Sequence, residues 1–427
     1  MDDLAYLFGV FLGASPISTV ATVFIFDVPR DLLAAVGLGL SRIRKSPTPN
    51  NLPTASSHGC SQSGVTAVIS SLNDAEGVLV SLASLRAQTL QPDRIIVFSD
   101  GSTDNSVGVL SALKQCGDID MFISNDRRIG RAAAGNVALQ YVETEFVLFI
   151  DCDTRLDPNA LDALTRRLQD RPGAAACSGN ITIANQQASI WTGLQQLEYM
   201  MAIDFGREFA DTFGAMSCCS GALAMYRTKA IVGVGGFSAG SGEDLATTLR
   251  LRRAGYAVHF EANAWAQTNA PETLAGLVSQ RLRWDRDAFR IQIVQFGQFK
   301  KQDSDESLAN TLQRYDFLLF TFLPTVMLPF LVPILAQVPA AQMPAFVGGG
   351  YLFLVFLALL IFAPVLIGYR GRVSLSQLLL LPVLPLYQGI FMKIVRLYAY
   401  FSEAIYHASS HDHYVPAHIR RRLNGRG

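Results

Sequence analysis

The chain has 427 residues, half of them hydrophobic and only 16% charged, which argues against an entirely soluble protein and allows two or three domains. Its 35 basic and 35 acidic residues leave no formal net charge, so no long-range field favours nucleic acid or an acidic partner. The six cysteines show neither metal-ligand spacing nor the density of a disulfide scaffold, which fits a reduced compartment.

The N-terminal region begins with an apolar segment. Residues 4–26 contain no charge and are about as long as the roughly 20 residues that a helix needs to cross a bilayer. A cleaved signal peptide is the alternative, but the acidic start of the chain disfavours it. We predict a membrane anchor with an amphipathic segment over 1–45, whose basic end is cytoplasmic, and a Pro/Asn/Ser-rich linker over 46–63.

In residues 64–302, short apolar runs alternate with amphipathic stretches of helix length. The runs VTAVISSL, RIIVFS and EFVLFI are typical of buried strands, and 75–90, 104–115 and 132–142 are typical of helices. This alternation predicts an α/β domain with a mostly parallel sheet flanked by helices, beginning with a βαβαβ nucleotide-binding arrangement.

The C-terminal region is apolar again. The runs 316–338 and 345–369 are long enough to span a bilayer, and arginines follow the second. The third run, 378–392, is shorter and either spans the bilayer or lies in its interface. We predict a membrane region over 303–405 and a basic tail over 406–427.

Acidic residues follow two of the predicted strands. Asp100 comes directly after RIIVFS, and Asp151 and Asp153 come directly after EFVLFI. Ligands of open α/β sheets bind beyond the carboxyl ends of the strands, so these clusters predict one polar site. For Asp100, a plain turn remains an equal alternative.

The pair Asp151 and Asp153 carries more information than a single carboxylate. Two carboxylates two residues apart repel each other at the end of a buried strand unless a cation neutralises them. Mg²⁺ uses one or two protein carboxylates together with substrate phosphates, which suits a diphosphate donor. The alternative is a solvated pair that caps the following helix.

Two further clusters lie downstream. Asp244 stands in Ser-Gly-Glu-Asp at 241–244, before a helix-like stretch, where a plain helix cap is the alternative. The run QRLRW at 280–284 places an arginine, which binds phosphate through two N–H groups, beside the flat ring of Trp284. An interfacial helix anchor is the alternative there. Glu198 and Tyr199 are predicted to belong to an amphipathic interface helix without a catalytic role.

Taken in order, these motifs resemble those of membrane-bound family 2 glycosyltransferases, nearest to the chitooligosaccharide, hyaluronan and poly-N-acetylglucosamine synthases. The motifs that carry the resemblance are SDGSTDN at 99–105, GRAAAGN at 130–136, DCD at 151–153, CCSGALAMYR at 218–227, SGED at 241–244 and QRLRW at 280–284. The resemblance covers roughly residues 65–300 and implies a GT-A type nucleotide-sugar-binding domain with N- and C-terminal transmembrane helices.

The resemblance also implies roles for individual residues. Asp244 would be the catalytic base, and Asp151 and Asp153 would hold Mg²⁺ or Mn²⁺. The residues expected to bind the nucleotide sugar are Asn73, Asp100, Arg131, Asp151, Gln280 and Arg283. The residues expected to face the acceptor are Cys219, Ser220, Gly221 and Trp284.

Three positions depart from the family pattern. The family's opening Pro-Ala-Tyr-Asn-Glu is Ser-Ser-Leu-Asn-Asp at 70–74, which lacks the tyrosine that would stack on the base. Arg131 stands where the family has lysine, and the two cations are not interchangeable at a phosphate. Leu245 occupies a place that is often polar in hyaluronan-type members.

The resemblance implies an inverting hexosyltransferase of the plasma membrane, multi-pass, with a cytoplasmic catalytic domain. It would take a UDP-sugar and extend a polysaccharide processively, and its partners would be the donor, a polysaccharide or lipid acceptor, and the bilayer. A non-processive, ceramide-type lipid glycosyltransferase shares the same motifs, and few apolar segments are available for a pore. A catalytically silent, membrane-anchored nucleotide-binding subunit is the alternative of another class.

Overall fold

The computed structural model describes residues 36–37, 64–297, 307–368, 374–411 and 416. The predicted anchor over 4–26, the linker over 46–63 and nearly all of the basic tail lie outside the described residues. The described part forms two compact units, one of residues 64–297, 307–313, 399–411 and 416, and one of residues 36–37, 314–368 and 374–398.

The first unit is built on one eight-stranded sheet. Its strands are β1 (Val65–Ser71), β2 (Arg94–Asp100), β3 (Met121–Asn125), β4 (Phe146–Asp151), β5 (Arg155–Leu156), β6 (Ala174–Ile183), β7 (Ala224–Arg227) and β8 (Ala257–Thr268). Their order across the sheet is β3-β2-β1-β4-β7-β6-β8-β5. The strands predicted from VTAVISSL, RIIVFS and EFVLFI are confirmed as β1, β2 and β4.

The sheet is mixed, which corrects the prediction of a mostly parallel one. β1 pairs in parallel with β2 and β4, and β2 pairs in parallel with β3. β7 then runs antiparallel to both β4 and β6, and β5 runs antiparallel to β8. The prediction rested on the first half of the domain, where each crossover contains a helix. The short strand β7 has no such crossover pattern in the sequence.

Nine helices of this unit are described between residues 64 and 297. They are α1 (Ala75–Arg86), α2 (Ser106–Gln115), α3 (Arg131–Leu139), α4 (Ala160–Gln169), α5 (Ile190–Tyr199), α6 (Gly206–Thr212), α7 (Thr228–Gly233), α8 (Glu243–Arg253) and α9 (Leu274–Phe289). Helices α5 and α9 each continue into a π-helical turn, Met200–Phe205 and Arg290–Gln295.

The core of this unit explains its element pattern. β1, β2 and β4 are buried along nearly their whole length, because helices cover both faces of this part of the sheet. Burial of continuous apolar runs fixes these three strands side by side. Their carboxyl ends therefore lie at one edge, where polar residues can meet.

The second unit is helical. It contains α11 (Leu323–Val326), α12 (Leu331–Leu335), α13 (Met343–Gly368), α14 (Leu375–Leu378) and α15 (Leu384–Leu386). Two further helices, α10 (Leu308–Phe317) and α16 (Lys393–Tyr406), each have residues in both units. The predicted span over 316–338 is not one regular helix. Pro324, Pro329 and Pro333 lie within it, and proline interrupts helical hydrogen bonding.

Two helical stretches of the described residues are long and apolar enough to cross a membrane, by length and composition alone. They are Met343–Ala363 and Ser376–Tyr406. The first coincides with the predicted run 345–369. The second contains the run 378–392 and continues to Tyr406. The apolar run ends earlier because the part from Lys393 to Tyr406 is amphipathic rather than uniformly apolar.

Candidate functional site

The candidate site begins where β1, β2 and β4 end. Asp100 is the last residue of β2 and Asp151 the last residue of β4. Ser70 on β1 is paired with Asp151 in the sheet register, and Ser71 is paired with Ser99 of β2. The two acidic clusters that the sequence placed at strand ends therefore lie at the same edge of the sheet, as predicted.

Asp100 is buried and holds the loop before α3. One of its carboxylate oxygens accepts a hydrogen bond from the backbone N–H of Ile129 at 2.6 Å, and the other accepts one from Gly130 at 2.8 Å. These two bonds set the position of Arg131, the first residue of α3. Any contact of Asp100 with a nucleotide would be made in addition to this role.

Asn73 joins the loops that follow β1 and β2. Its backbone is left-handed, with φ of +54°, which asparagine tolerates better than most residues. The side-chain oxygen accepts a hydrogen bond from the backbone N–H of Thr103 at 2.7 Å, and the Asn73 N–H donates to the Ser102 hydroxyl at 3.0 Å. Asn73 thus lies at the predicted edge, although the aromatic neighbour of the family pattern is missing.

The segment that carries Asp151 and Asp153 is held from the side of α1. The Ser81 hydroxyl lies within hydrogen-bond distance of the carbonyls of Cys152 at 2.7 Å and Thr154 at 2.8 Å. The Thr268 hydroxyl donates to Asp153 at 3.2 Å. This segment is therefore rigid enough to present both carboxylates in fixed positions.

The electrostatics of this pair fit a cation. Burial, and then the charge of Asp151, raises the pKa of Asp153 above its ordinary value. A divalent ion would remove this penalty by neutralising both carboxylates. No group of three or more His, Cys, Asp or Glu suited to a metal ion occurs in the described part of the chain, so phosphate oxygens would have to complete the coordination.

Arg131 is the residue that connects the acidic motifs. Its guanidinium lies 2.5 Å from Asp151 and 2.6 Å from Glu243, and it donates to the carbonyl of Gly221 at 2.8 Å. Burial alone would lower the pKa of Arg131, but the charges of Asp151, Glu243 and Asp244 raise it. One half-buried cation thus brings together three motifs that are far apart in sequence.

Asp244 lies next to this cation, in the first turn of α8. Its carboxylate accepts hydrogen bonds from the backbone N–H groups of Leu245 at 2.7 Å and Gly221 at 3.3 Å. Asp244, Glu243, Gly221 and Arg131 line one cavity, which also reaches the buried ring of Tyr226. A carboxylate that faces a cavity beside a cation is suited to accept a proton from a bound hydroxyl.

Sequence reasoning missed Glu243. Its side chain is 11% exposed and forms the ion pair with Arg131. Burial raises the pKa of Glu243 and the charge of Arg131 lowers it, and the effect of burial is the larger. The available signal was its position beside Asp244 in SGED. A buried glutamate needs a cation nearby, and Arg131 is the one that it contacts.

The residues 280–284 lie on α9. They are joined to the loop of Asp244 through Asp287, whose carboxylate accepts a hydrogen bond from the Ser241 hydroxyl at 2.7 Å and pairs with Arg290 at 2.9 Å. Gly242 lies between, with φ of +72°, and a Cβ there would meet Ile291 at 2.8 Å. Gln280, Arg283 and Trp284 are therefore on a helix that is fixed to the acidic loop.

The predicted acceptor residues 219–221 act mainly through their backbone. Cys219 is completely buried in the core, and burial raises the pKa of its thiol to about 12. Its N–H donates to Thr248, and the N–H of Ser220 donates to Ser178. The Cys219 side chain therefore faces the core rather than an open acceptor groove, whereas Gly221 lines the cavity.

Gly221→Ala is expected to displace Arg131. A Cβ at this position would overlap the guanidinium, which is the flexible end of its side chain, so the backbone need not move. Glu243 would then be buried without its cation, which costs about 1–3 kcal/mol of folding free energy. Thermal unfolding checks this. Because the cost comes from an unpaired charge, Glu243→Gln added to Gly221→Ala should recover most of the loss, and an unchanged loss in the double variant would contradict the explanation.

A comparison with protein families identifies the domain that contains most of these residues. Residues 66–234 match the model described as glycosyl transferase family 2. The chain carries a family 2 glycosyltransferase domain. The matched range contains Asn73, Asp100, Arg131, Asp151 and Gly221. The predicted resemblance is therefore confirmed, although the model ends before Asp244 and Trp284.

Comparison with curated proteins extends the likeness. The poly-beta-1,6-N-acetyl-D-glucosamine synthase of Staphylococcus aureus strain COL is 28% identical over 234 residues, which is 55% of this chain and 56% of that protein. The Staphylococcus epidermidis protein of the same name is 27% identical over 255 residues, 60% of this chain and 61% of that one. The chain thus spans 56% to 61% of the length of these relatives.

Among solved structures, the mannosyltransferase PcManGT from Pyrobaculum calidifontis, in complex with GDP-Man and Mn²⁺, is similar with a TM-score of 0.60. The likeness covers 91% of this chain and 98% of that one, at 16% sequence identity. It shows the fold, which is of the GT-A type. The sheet of this family 2 domain is accordingly mixed, rather than mostly parallel.

Proposed function

We propose that this chain is an inverting glycosyltransferase that transfers a sugar from a UDP-sugar to a growing polysaccharide at a membrane. The observation that carries the proposal is the contact of one half-buried arginine, Arg131, with Asp151 and Glu243, beside Asp244. It joins a carboxylate at the end of β4 to a carboxylate at the start of α8, and Arg131, Glu243 and Asp244 line one cavity. The named relatives, which are polysaccharide synthases, support the choice of acceptor.

In the proposed reaction Asp244 is the general base. A hydroxyl of the acceptor attacks the anomeric carbon of the donor sugar as its proton passes to the Asp244 carboxylate. The bond from the anomeric carbon to the diphosphate oxygen breaks, and its electron pair leaves with UDP. Attack from the side opposite to the leaving group inverts the configuration. The N–H groups of Gly221 and Leu245 keep the carboxylate oriented towards the cavity.

The leaving diphosphate requires positive charge. Asp151 and Asp153 would hold Mn²⁺ or Mg²⁺, which supplies charge stabilisation to the phosphate oxygens when bound. The similar mannosyltransferase is in complex with Mn²⁺, which supports a divalent ion here. Arg131 would add a second positive charge on the same side, where its contacts with Asp151, Glu243 and the Gly221 carbonyl hold it.

The remaining residues are proposed to hold the substrates. Asn73 and Asp100 shape the edge where the nucleoside would lie, and Gln280 and Arg283 would bind the diphosphate from α9. Trp284 has 38% of its surface exposed, which leaves part of its ring available to an acceptor sugar. The helical unit would associate with the bilayer, with the catalytic unit on the cytoplasmic side of the plasma membrane.

A single-transfer lipid glycosyltransferase is the competing function. The described residues contain two candidate spanning stretches, which is few for a pore that carries a polymer. A catalytically silent subunit is disfavoured because the acidic and basic motifs are all present.

Product sizing separates these functions. Purified chain in lipid, given labelled UDP-N-acetylglucosamine with Mn²⁺ or Mg²⁺, is expected to make a polymer of many sugars. UDP-glucose and UDP-glucuronate serve as comparison donors. A labelled product of one sugar on a lipid would establish the competing function, and no transfer from any of the donors would favour the silent subunit.

A further inference from the structure

Arg281 lies between two aromatic rings in a buried place on α9. Its side chain is 6% exposed, and the guanidinium carbon lies 4.4 Å from the centroid of the Trp284 ring and 5.9 Å from that of Tyr199. Residues three apart share one face of a helix, so Arg281 and Trp284 are neighbours by construction. A cation over the face of an indole is attracted to it, most strongly where water is excluded.

Glu198 determines where this guanidinium lies. Its carboxylate lies 2.8 Å from the Arg281 Nη2 atom and is 20% exposed. It is on α5, whose start is fixed by reciprocal hydrogen bonds between Ser189 and Thr192. The carboxylate is therefore presented from a helix with a well-defined position.

We propose that Glu198 and Arg281 are positioning residues, which hold the indole of Trp284 in the orientation that receives the acceptor sugar. This inference rests on the proposed function, because it assigns Trp284 to the acceptor. Arg281 covers one face of the ring, and the exposed part of the ring stays available for a sugar. Through the ion pair, the position of α5 determines where Arg281, and with it the ring of Trp284, lies.

A purely structural role would predict a different pattern. If the ion pair only joined α5 to α9, its loss would lower stability and affect donor and acceptor kinetics alike. A positioning role affects Trp284 first, because the indole loses the planar cation against which it packs. The donor side should be spared, since Arg131 and Asp151 belong to other elements, and α9 with Gln280 and Arg283 stays held to Ser241 through Asp287.

The test uses the full chain with Trp191→Phe and Trp265→Phe, so that Trp284 is the one remaining tryptophan. In the absence of substrates, Glu198→Gln and Arg281→Lys should both increase quenching of its fluorescence by acrylamide. The lysine keeps a charge for Glu198 but lacks the planar stacking group. Glu143→Gln, which breaks an exposed ion pair with Arg94, is the matched control and should leave quenching unchanged.

The kinetic part uses a short N-acetylglucosamine oligosaccharide as acceptor. Glu198→Gln should raise its KM by about tenfold, while the KM of the UDP-sugar changes by less than about twofold, in accordance with loss of one oriented stacking contact. Unchanged quenching in both variants, or an equal rise in both KM values, would overturn the positioning role. If quenching changes in a chain that transfers no sugar, the proposed function fails but the placement of Trp284 by this pair stands.

Discussion

Asp244→Asn is expected to lower kcat by about 10²- to 10⁴-fold, the range that a general base contributes, while UDP binding stays nearly intact. Asparagine keeps one oxygen for the 2.7 Å hydrogen bond from the Leu245 N–H and gives up only the longer one from Gly221 at 3.3 Å, so the start of α8 should hold its shape. It cannot take the proton of the acceptor hydroxyl. UDP release under saturating donor and acceptor measures kcat, and calorimetric titration measures UDP affinity.

The control for this substitution is Asp162→Asn. Asp162 forms a surface ion pair with Arg166 within α4 and lies outside the proposed site, so its loss should leave kcat within about twofold. Normal turnover in Asp244→Asn would remove Asp244 from the role of base. A parallel fall of turnover and UDP affinity would mean instead that the loop had lost its structure.

Asp153→Asn is expected to have two opposite effects. UDP affinity measured with Mn²⁺ should fall by about 10- to 100-fold or more, as for other losses of support at a metal site. Stability without metal should rise, because the fold binds the proton of Asp153 more tightly than the unfolded chain does. Ionising this carboxylate at neutral pH therefore costs folding free energy, and asparagine avoids that cost.

Thermal unfolding at neutral pH with EDTA and with Mn²⁺ plus UDP separates the two effects. The variant should unfold roughly 2 °C higher than the parent in EDTA, and Mn²⁺ with UDP should stabilise the parent alone. Thr268→Val is a useful comparison, since it removes the hydroxyl that contacts Asp153 but keeps the charge. If Mn²⁺ and UDP stabilise Asp153→Asn as much as the parent, the metal assignment is wrong.

The local sequence pattern predicted the placement of Asp100 and Asp151 at the ends of neighbouring strands. Buried parallel strands have continuous apolar runs, and their polar ends must lie at one edge because the strands start in register along the core. Asp100 and Asp151 could therefore be placed together before any contact was known. The helices α1, α2 and α3 also begin within two residues of their predicted starts, since periodicity and capping residues are local properties.

Local sequence patterns did not predict the orientation of β7 or the contacts of Asp100 and Glu198. β7 is a four-residue strand that no periodicity could orient, and it makes the sheet mixed. Asp100 was predicted as a ligand because it follows a buried strand. In the structure its two carboxylate oxygens accept hydrogen bonds from the backbone of residues 129 and 130. Glu198 appeared to belong to an interface helix, yet it pairs with Arg281 across 83 residues of sequence.

Residue types and their places in the chain alone thus determined the groups available at this site: carboxylates at strand ends, a carboxylate in the first turn of α8, and an arginine and a tryptophan on α9. Which of those groups meet was decided by packing. A buried charge must find its counter-charge within a few ångströms, and the distance between Arg131 and Glu243 depends on how α3 and α8 pack against the sheet. No local pattern contains that distance, because it is set by contacts between segments more than a hundred residues apart.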